Sequence, residues 1–228
     1  QPPSDQVTLD DLRERAEPPS QLHNNCSGKH TGFLCQARHL GASTTGYIDP
    51  AHPVQARIAE ATADLAGEEL SAYAIDGCSA PNFGLSLTGL ARAMARIAAA
   101  ETALKGMRAE AAITLRQAMA AHPFNVAGEG RACTDLMSVG NGLVVKTGAE
   151  GAFTAILPDR GFGIAVKIND GETCAAETAM TTILVALGAL DSADPRVSKW
   201  LSFQLINRRG VMCGETRGED ILRRLTQI

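Results

Sequence analysis

Residues 143–168 read LVVKTGAEGAFTAILPDRGFGIAVKI. The runs 143–146, 153–157 and 162–168 are apolar and rich in β-branched or aromatic residues, as short strands are. Asp159-Arg160-Gly161 separates the last two as a hairpin turn would. This stretch reads as an antiparallel meander, and the sequence on either side of it reads mostly as helix. Upstream, Thr8-Leu9-Asp10-Asp11 looks like a capping box opening a short helix that Pro18-Pro19 end. Phe33, Leu34, Ala37 and Leu40 recur at helical spacing up to Gly41, and Val54, Ile58, Ala61 and Leu65 do so up to Gly67. Ala72 to Ile75 reads as a strand before the Asp76-Gly77 turn. Leu90, Met94, Ile97 and Glu101 fall on one Ala-rich helix, and residues 113–120 on the next. Downstream, Asp170-Gly171 leads into a long helix over 172–187, a strand is expected near Val211, and a last helix over 221–225. Helices first and a meander later predict an α+β fold, with helices packed on an antiparallel sheet. The expected organisation is a mainly helical part, 1–142, and a sheet-plus-helix part, 143–228, in one structural unit.

The chain has 228 residues, 45% hydrophobic and 20% charged, enough to bury a core without staples. A formal charge of −4 with no Lys/Arg run argues against a nucleic-acid surface. The most apolar stretch, 180–190, is too short to span a bilayer and contains Thr and Gly. Six cysteines at wide spacing, with no C-x-x-C pair, point to free thiols in a reducing compartment. The chain opens on Gln1 rather than Met, so it is expected to be processed or incomplete, with an upstream segment missing.

Chemistry concentrates in His23-Asn24-Asn25-Cys26-Ser27-Gly28-Lys29-His30-Thr31-Gly32. Such polar groups are poor core material, because each needs a partner once it leaves water. Cys26 and Lys29 are one helical turn apart, and a second thiol follows in Asp76-Gly77-Cys78. Two thiols and an amine that meet in space can hold a metal or shape an anionic pocket. Gly28-Lys29 is not a phosphate loop: His23 stands where that motif needs Gly, and His30 where it needs Ser or Thr. A nucleotide cofactor is excluded with it. Lys146-Thr147-Gly148 ends an apolar strand, as the Lys-Thr-Gly strand of penicillin-binding proteins and class A β-lactamases does.

Several blocks in order resemble the L-asparaginase II family, the Rhizobium etli type of asparaginase. They are Pro18-Pro19-Ser20, His23 to His30, YIDPAHPVQ from Tyr47, Asp76-Gly77-Cys78, and His122-Pro123 with Gly130-Arg131. Thr134-Asp135-Leu136-Met137, KTGAEG from Lys146, Gly163-Ile164-Ala165, Asp170-Gly171 and Asn207 with Gly210 continue the series. The resemblance implies a fold similar to the serine β-lactamases, a cytoplasmic homodimer, and hydrolysis of L-asparagine to L-aspartate and ammonia. It implies zinc on Cys26, Lys29 and Cys78, and Lys146 as the cation at the reacting centre. His30 and Asp76, each beside an implied ligand, become groups that orient the ligands or bind the substrate amine; Cys133 approaches the same site. Their plainer roles are a residue in the first turn of a helix for His30 and a turn former for Asp76. Phe124 to Glu129, and Cys174 where an Arg is expected, depart from the family pattern.

One element of that chemistry does not occur. In this fold a Ser-x-x-Lys turn supplies the nucleophile and its base. No Ser in the sequence has Lys three residues later, and Thr102-Ala103-Leu104-Lys105 lies in an ordinary Ala-rich helix. In the family the motif precedes the Pro-Pro-Ser block, where this chain has too few residues to hold it. The expectation is therefore an asparaginase lacking its nucleophilic half and inactive as it stands. A truncated, non-catalytic relative that serves as a metal-binding or interaction module competes with it. A β-lactamase-like hydrolase of another amide is a weaker third reading.

Overall fold

The computed structural model describes residues 2–3 and 5–219. The chain divides into two compact units, Gln1–Leu85 and Ser86–Ile228.

The first unit opens with α1 (Gln6–Glu14), then a single 3-10 turn (Gln21–His23), α2 (Ser27–His39) and α3 (Pro53–Ala66). It closes on a two-stranded antiparallel hairpin, β1 (Ala72–Ile75) and β2 (Pro81–Gly84), in which Ile75 faces Pro81. The cap of α1 is Asp5 rather than Thr8: the Asp5 carboxylate accepts from the Thr8 amide at 2.8 Å and from its hydroxyl at 2.7 Å. The helix thus starts three residues earlier than a Thr8 cap would set it, and Thr8 becomes the residue whose orphan amide is capped. Helix α3 starts with Pro53 and stops at Gly67, whose φ of +66° is the left-handed cap a glycine supplies.

The second unit begins with α4 (Leu87–Ala98), α5 (Ala100–Ala103), α6 (Gly106–Ala121), α7 (Pro123–Ala127) and α8 (Ala132–Val139). The expected meander follows as β3 (Val144–Thr147), β4 (Ala152–Leu157) and β5 (Phe162–Lys167), in that spatial order and antiparallel. The α+β reading holds. Next come α9 (Thr173–Ala186), α10 (Pro195–Ser198) and a second hairpin, β6 (Ser202–Ile206) with β7 (Met212–Arg217). Phe153, Ala155 and Leu157 alternate along β4 and are buried with Ala176, Met180 and Leu184 of α9 and Leu136 and Met137 of α8. Sheet and helices thus share one apolar core. The helix expected over 221–225 lies outside the described residues. No helix among the described residues is long and apolar enough to cross a membrane.

Glu101 does not continue the helix of Leu90 and Met94. The backbone breaks at Ala99 (φ −97°, ψ 33°) and Glu101 falls in α5. Arg116 of α6 explains the break. Its buried guanidinium donates to Ile97 O at 2.9 Å and Ala98 O at 2.6 Å, and it pairs with the Glu101 carboxylate. It thereby takes up carbonyls that the end of α4 leaves open. Arg116→Ala strips these carbonyls of their donor and is expected to cost about 2–3 kcal/mol, read as a lower urea midpoint at unchanged slope.

Gly163 lets β5 lie directly on α4: an added Cβ would meet Ala95 N at 2.0 Å and Ala91 O at 2.4 Å. Both are helix backbone and cannot swing aside, so Gly163→Ala is expected to cost about 3 kcal/mol. Thermal unfolding checks it; an unchanged melting temperature would contradict that packing.

Candidate functional site

In the first unit the residues singled out by sequence meet at the start of α2. Cys26 is the N-cap; its amide donates to Asn24 Oδ1 at 2.8 Å and its sulfur makes no capping bond. One turn on, Lys29 Nζ donates to Asp76 Oδ2 at 2.9 Å. Asp76 opens the short turn that joins β1 to β2. Its amide donates to Ala80 O at 2.9 Å, and Ser79, at φ +72°, returns its amide to Asp76 O at 2.8 Å. The Gly77 amide donates to Asp76 Oδ1 at 2.7 Å and the Cys78 thiol to Asp76 Oδ2 at 3.3 Å. One ligand atom from each of Cys26, Asp76 and Cys78 lies within 4.8 Å of the others. Two sulfurs and a carboxylate, with an amine hydrogen-bonded to that carboxylate, form a donor set that fits a divalent metal ion with an affinity for thiolate.

The charges are coupled. Burial pushes the Cys26 thiol up; Lys29 pulls it back, and Cys78 and Asp76 push it up again. Burial lowers Lys29, but hydrogen bonds to Asp76 and Cys78 and the attraction of both sulfurs outweigh it, so the net shift is upward. Lys29 therefore stands as an ammonium at neutral pH, and a metal must displace its proton before the amine can ligate. The Lys29 hydrogen bond, then that of Cys78, holds Asp76 below its ordinary value, against the effect of burial. The signs give a pH window. Stabilisation from Asp76 is present above the ordinary aspartate pKa and is lost as pH falls through its lowered folded value. That from Lys29 is lost only as pH rises through a value above 10.5. Carboxyl NMR of the metal-free protein should find Asp76 titrating below free aspartate, and Lys29→Ala should move it back up.

A cavity of about 380 Å³ adjoins the cluster and shares Cys78 with it; Ser20, Asn24, Ser27, His30 and Tyr47 also line it. His30 Nδ1 lies 2.7 Å from the Tyr47 hydroxyl, and the imidazole meets the rings of Phe33 and Tyr47 edge-on. Tyr47 is itself fixed by buried Gln55, whose Nε2 donates to Tyr47 O at 2.8 Å. His30 Nε2 is buried with no hydrogen-bond partner among the described residues. A buried polar nitrogen without a partner, in the wall of a cavity, is a group a ligand can satisfy. His23, by contrast, is spent on structure: its Nδ1 accepts from the Ser20 amide at 2.9 Å and caps the 3-10 turn.

The second unit holds the other two residues. Lys146 is exposed on β3, and its Nζ donates to Thr147 O at 2.5 Å. Cys133 on α8 is 1% exposed, and its sulfur accepts from the Thr147 amide at 3.2 Å. The buried thiol therefore braces the Lys-Thr-Gly strand from below. Sequence alone gives no role to Tyr47 or Gln55, although both lie in the YIDPAHPVQ block. A tyrosine eight residues before a glutamine carries no periodic signal, and only the fold shows that the pair orients His30.

Fold and site together describe an α+β protein with a thiol-rich cluster beside a small polar cavity. The chain belongs to the L-asparaginase II family, whose sequence model matches residues 1–218. The membership makes it an L-asparaginase-type amidohydrolase by family, with asparagine as the substrate the family implies. No curated protein matches the sequence.

Proposed function

We propose that the first unit carries a metal-binding, substrate-organising site of the asparaginase type, and that Lys146, in the second unit, is a catalytic cation for amide hydrolysis. The observation that carries this reading is the cluster itself: Cys26, Asp76 and Cys78 in one group, with Lys29 bonded to Asp76, next to the cavity walled by His30. Cys26, Cys78 and, once deprotonated, Lys29 are the residues that would hold zinc; bound there, it would polarise and orient polar groups of the substrate. Asp76, freed of the Lys29 proton, would take the substrate ammonium, and the His30 imidazole would bond one of its oxygens through Nε2. Lys146 would offset negative charge as it builds on the amide oxygen. Cys133 acts through Thr147, by holding the strand that presents Lys146. The Lys-Thr-Gly meander supports the likeness to the serine β-lactamases, and six free thiols support a reducing, cytoplasmic setting.

Hydrolysis adds water across the C–N bond of the substrate's terminal amide and releases ammonia. It needs a nucleophile beside a base, and no Ser-x-x-Lys occurs in the 228 residues. The second reading is a non-catalytic metal-binding module. An ammonia-release assay on the protein fused behind a segment that supplies Ser-x-x-Lys separates the two. Turnover lost with Lys146→Ala supports the enzyme; no turnover by a folded fusion supports the module.

A further inference from the structure

Cys26 and Cys78 are placed to bond to each other. Both are free thiols, half-buried, with sulfurs within 4.8 Å. They belong to different elements, 52 residues apart in sequence (78 − 26), so closure would tie the first turn of α2 to the β1–β2 turn. Cys26 makes no capping bond, and the Cys78 thiol, which donates to Asp76 Oδ2 at 3.3 Å, also interacts directly with Cys26 and Lys29. Beside Cys78 the turn is open on one side, since nothing lies within 4 Å of where a Cβ on Gly77 would sit. A disulfide needs its sulfurs at about 2.05 Å, so the pair must close by some ångströms, a shift that a short turn can supply.

We propose that Cys26 and Cys78 form a reversible disulfide with peroxides as the oxidant, and that the bond removes both sulfur ligands of the metal site at once. The second part rests on the metal reading given above; the first does not. One thiolate attacks hydrogen peroxide, the O–O bond breaks, and a sulfenic acid and water result. The second sulfur attacks the sulfenic sulfur, the S–S bond forms, and the sulfenic oxygen leaves as a second water. Two thiol hydrogens and two electrons pass to one peroxide. A dithiol reductant reverses the step by exchange. Bound metal blocks it, because both sulfurs are then committed as ligands.

The test treats the full metal-free protein with one equivalent of hydrogen peroxide and maps the linkage by mass spectrometry of peptides. Expected are the loss of two hydrogen masses, a cross-link between the Cys26 and Cys78 peptides, and recovery with dithiothreitol. Zinc loaded beforehand should slow cross-linking about tenfold or more, and the cross-linked protein should bind zinc more weakly than the reduced one by about 1,000-fold or more. Sulfinic acid on either residue without a cross-link, or cross-links to other cysteines instead, would overturn the proposal, as would full zinc uptake by the cross-linked protein. Zinc titration of the reduced protein keeps the two readings apart. No uptake there sinks the metal site, while the peptide map alone decides the disulfide.

Discussion

Cys78→Ala is expected to release the metal, lowering zinc affinity by about three orders of magnitude, while Cys35→Ala, an exposed thiol on α2 outside the cluster, leaves it unchanged. The size follows from the number of donors. A site of three or four ligands that loses one of two thiolates loses its strongest type of bond to a thiophilic ion. Two further variants separate the roles of amine and carboxylate. Lys29→Ala removes a ligand if the amine coordinates, whereas Asp76→Asn leaves the amine in place and removes the counter-ion that holds its proton. Affinity should also fall as pH falls. Both thiols and the amine bind metal deprotonated, and the Cys26 and Lys29 pKa values are both raised. Over neutral pH each displaced proton costs about tenfold per unit. Competition with a chromophoric chelator from about pH 6 to 8 reads all of this; a pH-independent affinity would show that these groups are not the ligands.

The second large effect is an absence. The 228-residue protein should bind zinc yet release no ammonia from asparagine above background. Amide hydrolysis needs a nucleophile activated by a neighbouring base. Ser27 has Lys29 two residues on, but Lys29 is bonded to Asp76 and, with metal bound, has no lone pair to act as base. Thr147 follows Lys146, but its hydroxyl lies 3.7 Å from buried Cys133 Sγ, and alternation along the strand turns it away from Lys146. Supplying a Ser-x-x-Lys segment should raise turnover by several orders of magnitude, about the 10²–10⁴-fold of one acid–base pair or more. Lys146→Ala should then abolish it. Clear turnover by the bare protein, lost in Ser27→Ala, would make Ser27 the nucleophile.

The legible parts of the fold are those with strong local signals. Three β-branched runs mark the meander, and Gly67 and Gly161 fix a helix end and a hairpin turn by their left-handed φ. Strand β2 is not legible, because Pro81-Asn82-Phe83-Gly84 has turn composition and becomes a strand only through pairing with β1. Strand β6 is paired to β7 in the same way. The break between α4 and α5 depends on Arg116, many residues later. At the site, residue types mark the cluster, since thiols, an amine and a carboxylate stand in two short segments. What sequence hides is the relay behind it: Gln55 on Tyr47, Tyr47 on His30, and Lys29 on Asp76.

Zinc X-ray absorption on the metal-equilibrated protein, with the metal content of the same sample, addresses the metal assignment most directly. About one zinc per molecule is expected, with two sulfurs at about 2.3 Å and the remaining places filled by nitrogen or oxygen. A protein that takes up no zinc, or holds it on nitrogen and oxygen alone, contradicts the assignment of Cys26 and Cys78 as its ligands.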